Sequence, residues 1–164
     1  MQGARLLVDR VLGFLLVGIM AAMVVNVVWQ VFTRFVLGAP SSYTEELARF
    51  LLIWVSLLGG AYAAGQRMHL AIDILTARLV GVRKARVDTA IHLCVLLFAF
   101  GAMVVGGLRL VYLSFALEQM SAALRLSLGY VYLVVPVSGL LVMFYTTGFL
   151  LERPTPPRGV PPRA

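Results

Sequence analysis

Four long apolar stretches constrain the fold of this chain more than any other feature. Each is close to or above the roughly 18–20 residues that a helix needs to cross the ~30 Å hydrocarbon core of a bilayer. Of the 164 residues, 61% are hydrophobic and only 13% are charged, whereas a soluble domain is nearer half apolar and about a quarter charged. We therefore predict an all-α integral membrane protein with four transmembrane helices rather than a globular domain.

The spans are predicted at about residues 11–33, 47–65, 90–115 and 129–151, within one membrane domain covering residues 1–152. Pro136 lies inside the fourth span and is expected to kink it, because proline has no backbone N–H to donate. Residues 153–164 are rich in proline. They are expected to form a non-helical tail.

The distribution of basic residues predicts the orientation of the spans. Lysine and arginine accumulate on the cytoplasmic side of a membrane protein. With the N-terminus inside, the outer side holds only Arg34, Arg49, Arg109 and Arg125. The cytoplasmic side then holds the other ten basic residues: Arg5, Arg10, Arg67, Arg78, Arg83, Lys84, Arg86, Arg153, Arg158 and Arg163. Both termini are therefore expected in the cytoplasm.

The connection between spans two and three has its own pattern. Residues 69–80 carry apolar side chains at about helical spacing, but the segment is too short and too polar to span. This pattern predicts an amphipathic helix in the membrane interface, in contact with lipid phosphates. The expected anchor residues are Arg67, His69, Asp73 and Arg78.

A polar insert, residues 40–49, lies at the start of span two. Ser42 and Glu45 have the spacing of a capping box, and Glu45 and Arg49 are four residues apart, as in a helical ion pair. Adjacent residues on a helix diverge by about 100°, so Glu45 and Glu46 do not converge on one substrate atom and are not expected to act as an enzyme's acid–base pair. We expect this edge to bind a partner protein. The candidate residues are Arg34, which is also expected to pair with Glu45 or Glu46, together with Glu45, Glu46, Arg49 and Trp54.

Small residues in spans two and three have the small-xxx-small spacing that lets membrane helices approach closely. The expected packing residues are Gly59, Gly60, Ala63, Ala64, Ala102 and Gly106. In span one, Asn26, Gln30 and Thr33 share a helical stripe. Hydrogen bonding between helices is favoured over an ion path, which would need ionisable residues at mid-depth on several helices.

The net charge of +7 does not indicate nucleic-acid binding. Most basic residues flank apolar stretches, where the orientation rule explains them, and no nucleic-acid motif is present. His69 and His92 suggest a haem-binding membrane anchor of a respiratory complex as the alternative function. We favour interfacial and helix-packing roles for these histidines, and therefore expect no cofactor and no metal.

The ordered residues between Gln30 and Asp73 resemble a known family. They comprise Gln30-Val31-Phe32-Thr33-Arg34-Phe35, Pro40, Glu45-Glu46-Leu47-Ala48-Arg49, Trp54, Gly59-Gly60-Ala61, Arg67, His69 and Asp73. This set is similar to the small membrane subunit, called DctQ-like, of the tripartite ATP-independent periplasmic (TRAP) transporters.

The resemblance implies a function in transport. The small subunit of this family is a fixed membrane scaffold for a large permease subunit, which holds the substrate and sodium sites. A periplasmic substrate-binding protein delivers an organic acid, such as a C4-dicarboxylate. The expected partners are therefore the large permease, the binding protein and membrane lipid.

Overall fold

The structure, a computed structural model, describes residues 2–39, 41–66 and 82–151. In these ranges the chain is helical apart from the connections between helices. The elements are α1 (Gln2–Phe35), α2 (Ser42–Gly65), α3 (Val82–Phe98), a π-helix (Ala99–Gly106), α4 (Gly107–Ala116), α5 (Leu128–Tyr132) and α6 (Val134–Leu151).

Four helical segments in the described ranges are long and apolar enough to cross a membrane. Residues 82–116 run through α3, the π-helix and α4 without interruption and form the third span, while α5 and α6 together form the fourth. The prediction of an all-helical protein with four such helices is confirmed. The predicted interfacial helix lies outside the described residues, and the cytoplasmic placement of the termini stays a prediction.

The four spans pack in a row. Helix α1 packs along α2, α2 packs also against α6, and α6 packs against the third span. In the part of the chain that the structure describes, the third span has no comparable packing against α1. The inner two helices therefore have neighbours on two sides, and the outer two have a neighbour on one side only.

Helix α1 uses a narrow stripe for its contact with α2. Leu12, Leu16, Ile19 and Met23 are buried or half-buried at alternating spacings of four, three and four residues. This spacing keeps one seam of a long helix against its neighbour. The stripe continues through half-buried Asn26 and Gln30 to buried Thr33. Most of the remaining surface of α1 is uncovered, including Phe14, whose side chain is 74% exposed.

The fourth span is interrupted at Leu133, three residues before Pro136. Proline cannot donate to the carbonyl four residues earlier, which is that of Tyr132, and its ring disfavours a straight helix there. The predicted kink is therefore present as a break between α5 and α6. The proline ring then lies against Gly107, where an added Cβ would come within 2.9 Å of Pro136 Cδ.

The row of spans has two ends. The loop end holds residues 36–39, Ser41 and residues 117–127, and the terminal end holds Asp9 and Gly65. At the terminal end the side chain of Tyr145, from α6, is only 1% exposed. Its hydroxyl donates a hydrogen bond of 2.5 Å to Asp9 Oδ1 on α1. This bond joins the first and last spans, and Arg5 of α1 also lies over the Phe149 ring of α6, 4.6 Å from its centroid.

Gly65 makes room for the Tyr145 ring. An added Cβ on Gly65 would come within 2.7 Å of two ring carbon atoms, closer than carbon atoms pack. On the same helix an added Cβ on Gly60 meets nothing within 4 Å. The two glycines therefore form a matched pair, one packed against an aromatic ring and one open.

We predict that Gly65→Ala lowers the free energy of unfolding by about 1–3 kcal/mol, because the new methyl group displaces the buried Tyr145 ring. Gly60→Ala is the control and should be neutral or slightly stabilising, because alanine is the better helix former. Reversible unfolding in mixed detergent micelles, followed by circular dichroism, measures both. Equal stability of the two variants would contradict the packing described here.

Candidate docking edge at the loop end

The first turn of α2 is fixed by hydrogen bonds to backbone carbonyls. The hydroxyl of Thr44 donates to the carbonyl oxygen of Ser41 at 2.8 Å. Asn26, from α1, donates through Nδ2 to the carbonyl oxygen of Thr44 at 2.7 Å. Asn26 therefore makes the interhelical bond that the polar stripe of span one predicts.

The capping box predicted at Ser42 and Glu45 is wrong. The helix begins one residue earlier than that motif requires, with Ser41 as its N-cap, and Ser41 makes no side-chain capping bond. Glu45 reaches along the helix to Arg49 instead of back to the N-cap.

Glu46 holds the connection between the third and fourth spans. Its Oε2 accepts two backbone hydrogen bonds, from the amide of Ala123 at 2.8 Å and from the amide of Leu124 at 2.9 Å. Hydrogen bonds to an ionised acceptor are stronger than those between neutral groups. The carboxylate therefore fastens a loop nearly eighty residues away to the start of α2.

The loop itself, residues 117–127, is a tight hairpin. The amide of Ser121 donates to the carbonyl of Leu126, and the amide of Leu128 donates to the carbonyl of Gln119, both at 2.9 Å. Glu118 and Arg125 have φ angles of 47° and 50°, in the left-handed region that costs a non-glycine residue about 1 kcal/mol or more. The two hydrogen bonds that Glu46 accepts from this loop help to offset this strain.

Glu45 and Arg49 remain exposed beside this loop. Their side chains are 65% and 68% exposed, and Glu45 Oε1 lies 3.5 Å from Arg49 Nη2. Because both side chains are exposed, both are accessible to a partner. An exposed pair of this kind contributes less than about 1 kcal/mol to stability, so little is lost when a partner replaces it. Since Glu45 faces Arg49 and Glu46 faces the loop, the two carboxylates do not form an acid–base pair.

Arg34 does not form the ion pair expected with Glu45 or Glu46. Its guanidinium lies 6.0 Å from the centre of the Phe35 ring, and the described residues contain no ion pair between Arg34 and either carboxylate. Glu46 is instead occupied by loop amides. Arg34 is exposed at the end of α1, so the edge presents Arg34, Glu45 and Arg49.

The other predicted site residues are divided between the interior and the surface. Trp54 is half-buried and packs against the buried cluster of Leu12, Leu58 and Val134. Gly59 faces Leu16 of α1, at 3.9 Å from an added Cβ. Of the remaining small residues, Ala64 is buried and Ala63 half-buried, whereas Gly60, Ala102 and Gly106 are exposed.

His92 contacts its own helix and the fourth span. Its Nδ1 lies 2.6 Å from the carbonyl oxygen of Asp88, and its ring meets the edge of Phe149 with centroids 6.2 Å apart. Within the described residues no three His, Cys, Asp or Glu side chains group as metal ligands would. The four predicted anchor residues, Arg67, His69, Asp73 and Arg78, lie outside the described residues.

Several important contacts have no clear sequence signal. The bond between Asp9 and Tyr145 joins residues 136 positions apart. The fourth span has three close-packed glycines: Gly129 lies against the Phe115 ring, Gly139 against Met103 and Gly148 against the Arg5 side chain. Asp9 is noticeable in the sequence as an acidic residue at the start of the first apolar stretch. The sequence does not identify Tyr145 as its partner.

We predict that Glu46→Ala increases the mobility of the loop of residues 117–127. Losing the acceptor leaves the Ala123 amide unpaired and leaves Leu124 with only its longer bond of 3.3 Å to Ser121 Oγ. This should cost about 1–3 kcal/mol of stability and raise hydrogen–deuterium exchange in the peptide that covers residues 119–127. Glu45→Ala is the control, because that carboxylate bonds no loop amide. Exchange of the loop at the same rate in both variants would show that Glu46 does not hold it.

Comparison with known proteins agrees with this architecture. A model of the family described as "Tripartite ATP-independent periplasmic transporters, DctQ component" matches residues 23–154. The sialic acid TRAP transporter small permease protein SiaQ of Vibrio cholerae serotype O1 is 29% identical over 141 residues, which cover 85% of this chain and 79% of that protein.

Two further relatives extend the comparison. A putative TRAP transporter small permease protein of Haemophilus influenzae is 31% identical over 72 residues, 44% of this chain and 45% of that protein. The isethionate TRAP transporter permease protein DctMQ of Oleidesulfovibrio alaskensis is 35% identical over 102 residues, 62% of this chain and 16% of that much longer protein. The chain belongs to the DctQ family of small permease subunits of TRAP transporters, a family of transport components and not of enzymes.

Proposed function

We propose that this chain is the scaffold subunit for a large TRAP permease in a bacterial inner membrane. The complete transporter would take up an organic acid, such as a C4-dicarboxylate, in a sodium-coupled reaction that depends on a periplasmic binding protein. Relatives named for sialic acid and for isethionate support an organic acid as the class of substrate. The substrate site would lie in the large subunit.

The DctMQ relative supports a large membrane partner. The segment similar to this chain is only 16% of that permease protein, so in that protein a DctQ-like region is joined to a much longer chain. We infer that the present chain pairs with a separate large subunit.

The observation that carries the proposal is the uncovered face of α1. The described part of this helix has no charged residue between Arg10 and Arg34, and a shallow groove on it is lined by Val24, Val25, Val28, Trp29 and Phe32. The rings of Trp29 and Phe32 stack with centroids 5.8 Å apart. Clustered aromatic and aliphatic side chains of this kind are typical anchors of an interface. We propose that the large subunit packs on this face.

The loop end would face the periplasm, because the orientation rule assigns most basic residues to the opposite side. There the exposed groups Arg34, Glu45 and Arg49 would contact the permease or the binding protein. Glu46 would act indirectly by holding the loop in place, and Trp54 by packing inside the row. The proposed interfacial helix, with Arg67, His69, Asp73 and Arg78, would anchor the cytoplasmic side to lipid.

We predict that the double exchange Glu45→Arg/Arg49→Glu lowers uptake by about tenfold at low ionic strength and by less at high salt. The exchange keeps an ion pair on the helix but reverses each charge that a partner meets. The reversed charges should repel the charges of the partner, and salt screens this repulsion. Uptake of a radiolabelled organic acid into vesicles that contain both permease subunits, with the binding protein added, is the measurement.

The neutral double variant Glu45→Gln/Arg49→Gln is the control. If the pair docks a partner, the exchange variant should be clearly worse than the neutral one. If both transport like the wild type, these residues have no docking role. If the large subunit is equally active without this chain, the scaffold function itself is wrong.

A further inference from the structure

Arg109 is a cation on an otherwise apolar surface. It belongs to α4 and lies seven residues before the end of that helix at Ala116. At a rise of 1.5 Å per residue this is about 10 Å from the helix end. Its side chain is exposed, as are its neighbours Leu108 and Leu110. An arginine at this depth of a membrane-crossing helix is costly unless it finds an anion or water.

No carboxylate in the described residues pairs with Arg109. The positions three and four residues away on its own helix are Val105, Gly106, Tyr112 and Leu113, and none is acidic. The fourth span, which packs against α4, has no acidic residue between positions 128 and 151. Arg49, at a similar distance from the end of its helix, does have a carboxylate partner in Glu45.

Exposed tyrosines mark the level of the lipid headgroups near Arg109. Tyr112 is 71% exposed and lies one turn nearer the loop end, and Tyr130, at the start of the fourth span, is 63% exposed. Tyrosine is enriched where the hydrocarbon meets the headgroups. Arg109 is therefore about one turn below the headgroups, a distance that its long side chain can span while the guanidinium reaches polar groups.

Arg109 and Tyr112 present complementary donors on one face. Residues three apart are neighbours on a helix surface. The guanidinium offers five N–H donors in a planar fork, and the phenol offers one O–H donor. A phosphodiester oxygen pair accepts a bidentate bond from arginine and can accept a further bond from the phenol.

We propose that Arg109 and Tyr112 form a binding site for the phosphate of a phospholipid at the loop end of the third span. We favour a lipid phosphate over the carboxylate of a partner helix as the ligand. The exposed tyrosines indicate that the headgroups lie within reach of the guanidinium. This site is independent of the proposed scaffold function and predicts that the outer face of the third span is covered by lipid.

Native mass spectrometry of the full chain, released from detergent after titration with dioleoylphosphatidylglycerol, tests the site. Arg109→Ala should weaken binding of the tightest lipid about tenfold, as expected for loss of charge-assisted hydrogen bonds. Tyr112→Phe should weaken it less, by about threefold, because one neutral donor is lost. Arg109→Gln serves as a second variant if the alanine variant folds poorly.

Arg49→Ala is the matched control, since it removes an exposed arginine that already has a partner. Dioleoylglycerol, which lacks the phosphate, should bind the wild type and Arg109→Ala equally. An equal loss of phosphatidylglycerol binding in Arg49→Ala and Arg109→Ala would overturn the proposal, because it would show a general attraction of the lipid to positive charge. Unchanged lipid binding in Arg109→Ala, with less large subunit co-purified, would overturn it in favour of a protein contact.

Discussion

Hydrocarbon offers no hydrogen-bond partner to the backbone, and this restricts the membrane-crossing parts of the chain to helices. Wherever the helices stop, other groups must satisfy the free amides and carbonyls. At the loop end, Glu46 accepts bonds from two amides of the hairpin, and Asn26 donates to a carbonyl in the first turn of α2. Glu46 thus satisfies free backbone amides of the loop, whereas Asn26 links α1 to α2. Glu45 and Arg49 of α2 are left as exposed charges, as are Arg34 at the end of α1 and Glu118 and Arg125 in the loop.

The row of spans gives the molecule two different outer faces. Helix α1 presents a face without charge over more than twenty residues, with the stacked rings of Trp29 and Phe32 on it. The third span presents Arg109 near exposed tyrosines. An apolar face with aromatic anchors suits a permanent protein neighbour, and a face with a lone arginine near the headgroups suits lipid. The two proposals are therefore compatible: the large subunit covers one side of the row, and lipid covers the other.

Much of the fold could be predicted from the sequence because membrane helices have a strong local signal. The four apolar stretches, the break before Pro136 and the hydrogen-bonding role of Asn26 all follow from residues close together in the chain. The N-cap is Ser41, one residue before the Ser42 that the predicted capping box requires, so Glu45 makes the predicted ion pair with Arg49 but no capping bond. The partner of Glu46 could not be predicted, because it depends on how the loop folds over α2. The exposed position of Ala102 and Gly106 likewise depends on the π-helix and on the arrangement of the spans in a row. Small-residue spacing identifies a surface that suits a helix contact, but it does not identify which side of the helix has a neighbour.

Site-specific photocrosslinking in native membranes tests the central claim most directly. A benzoylphenylalanine at Val28, on the uncovered face of α1, should form an adduct with the large permease subunit. The same probe at Leu108, exposed to a similar degree on the third span, should react with lipid and give no protein adduct. Capture of the large subunit from Leu108 but not from Val28 would contradict the assignment of the two faces, and with it this account of how the subunit supports its transporter.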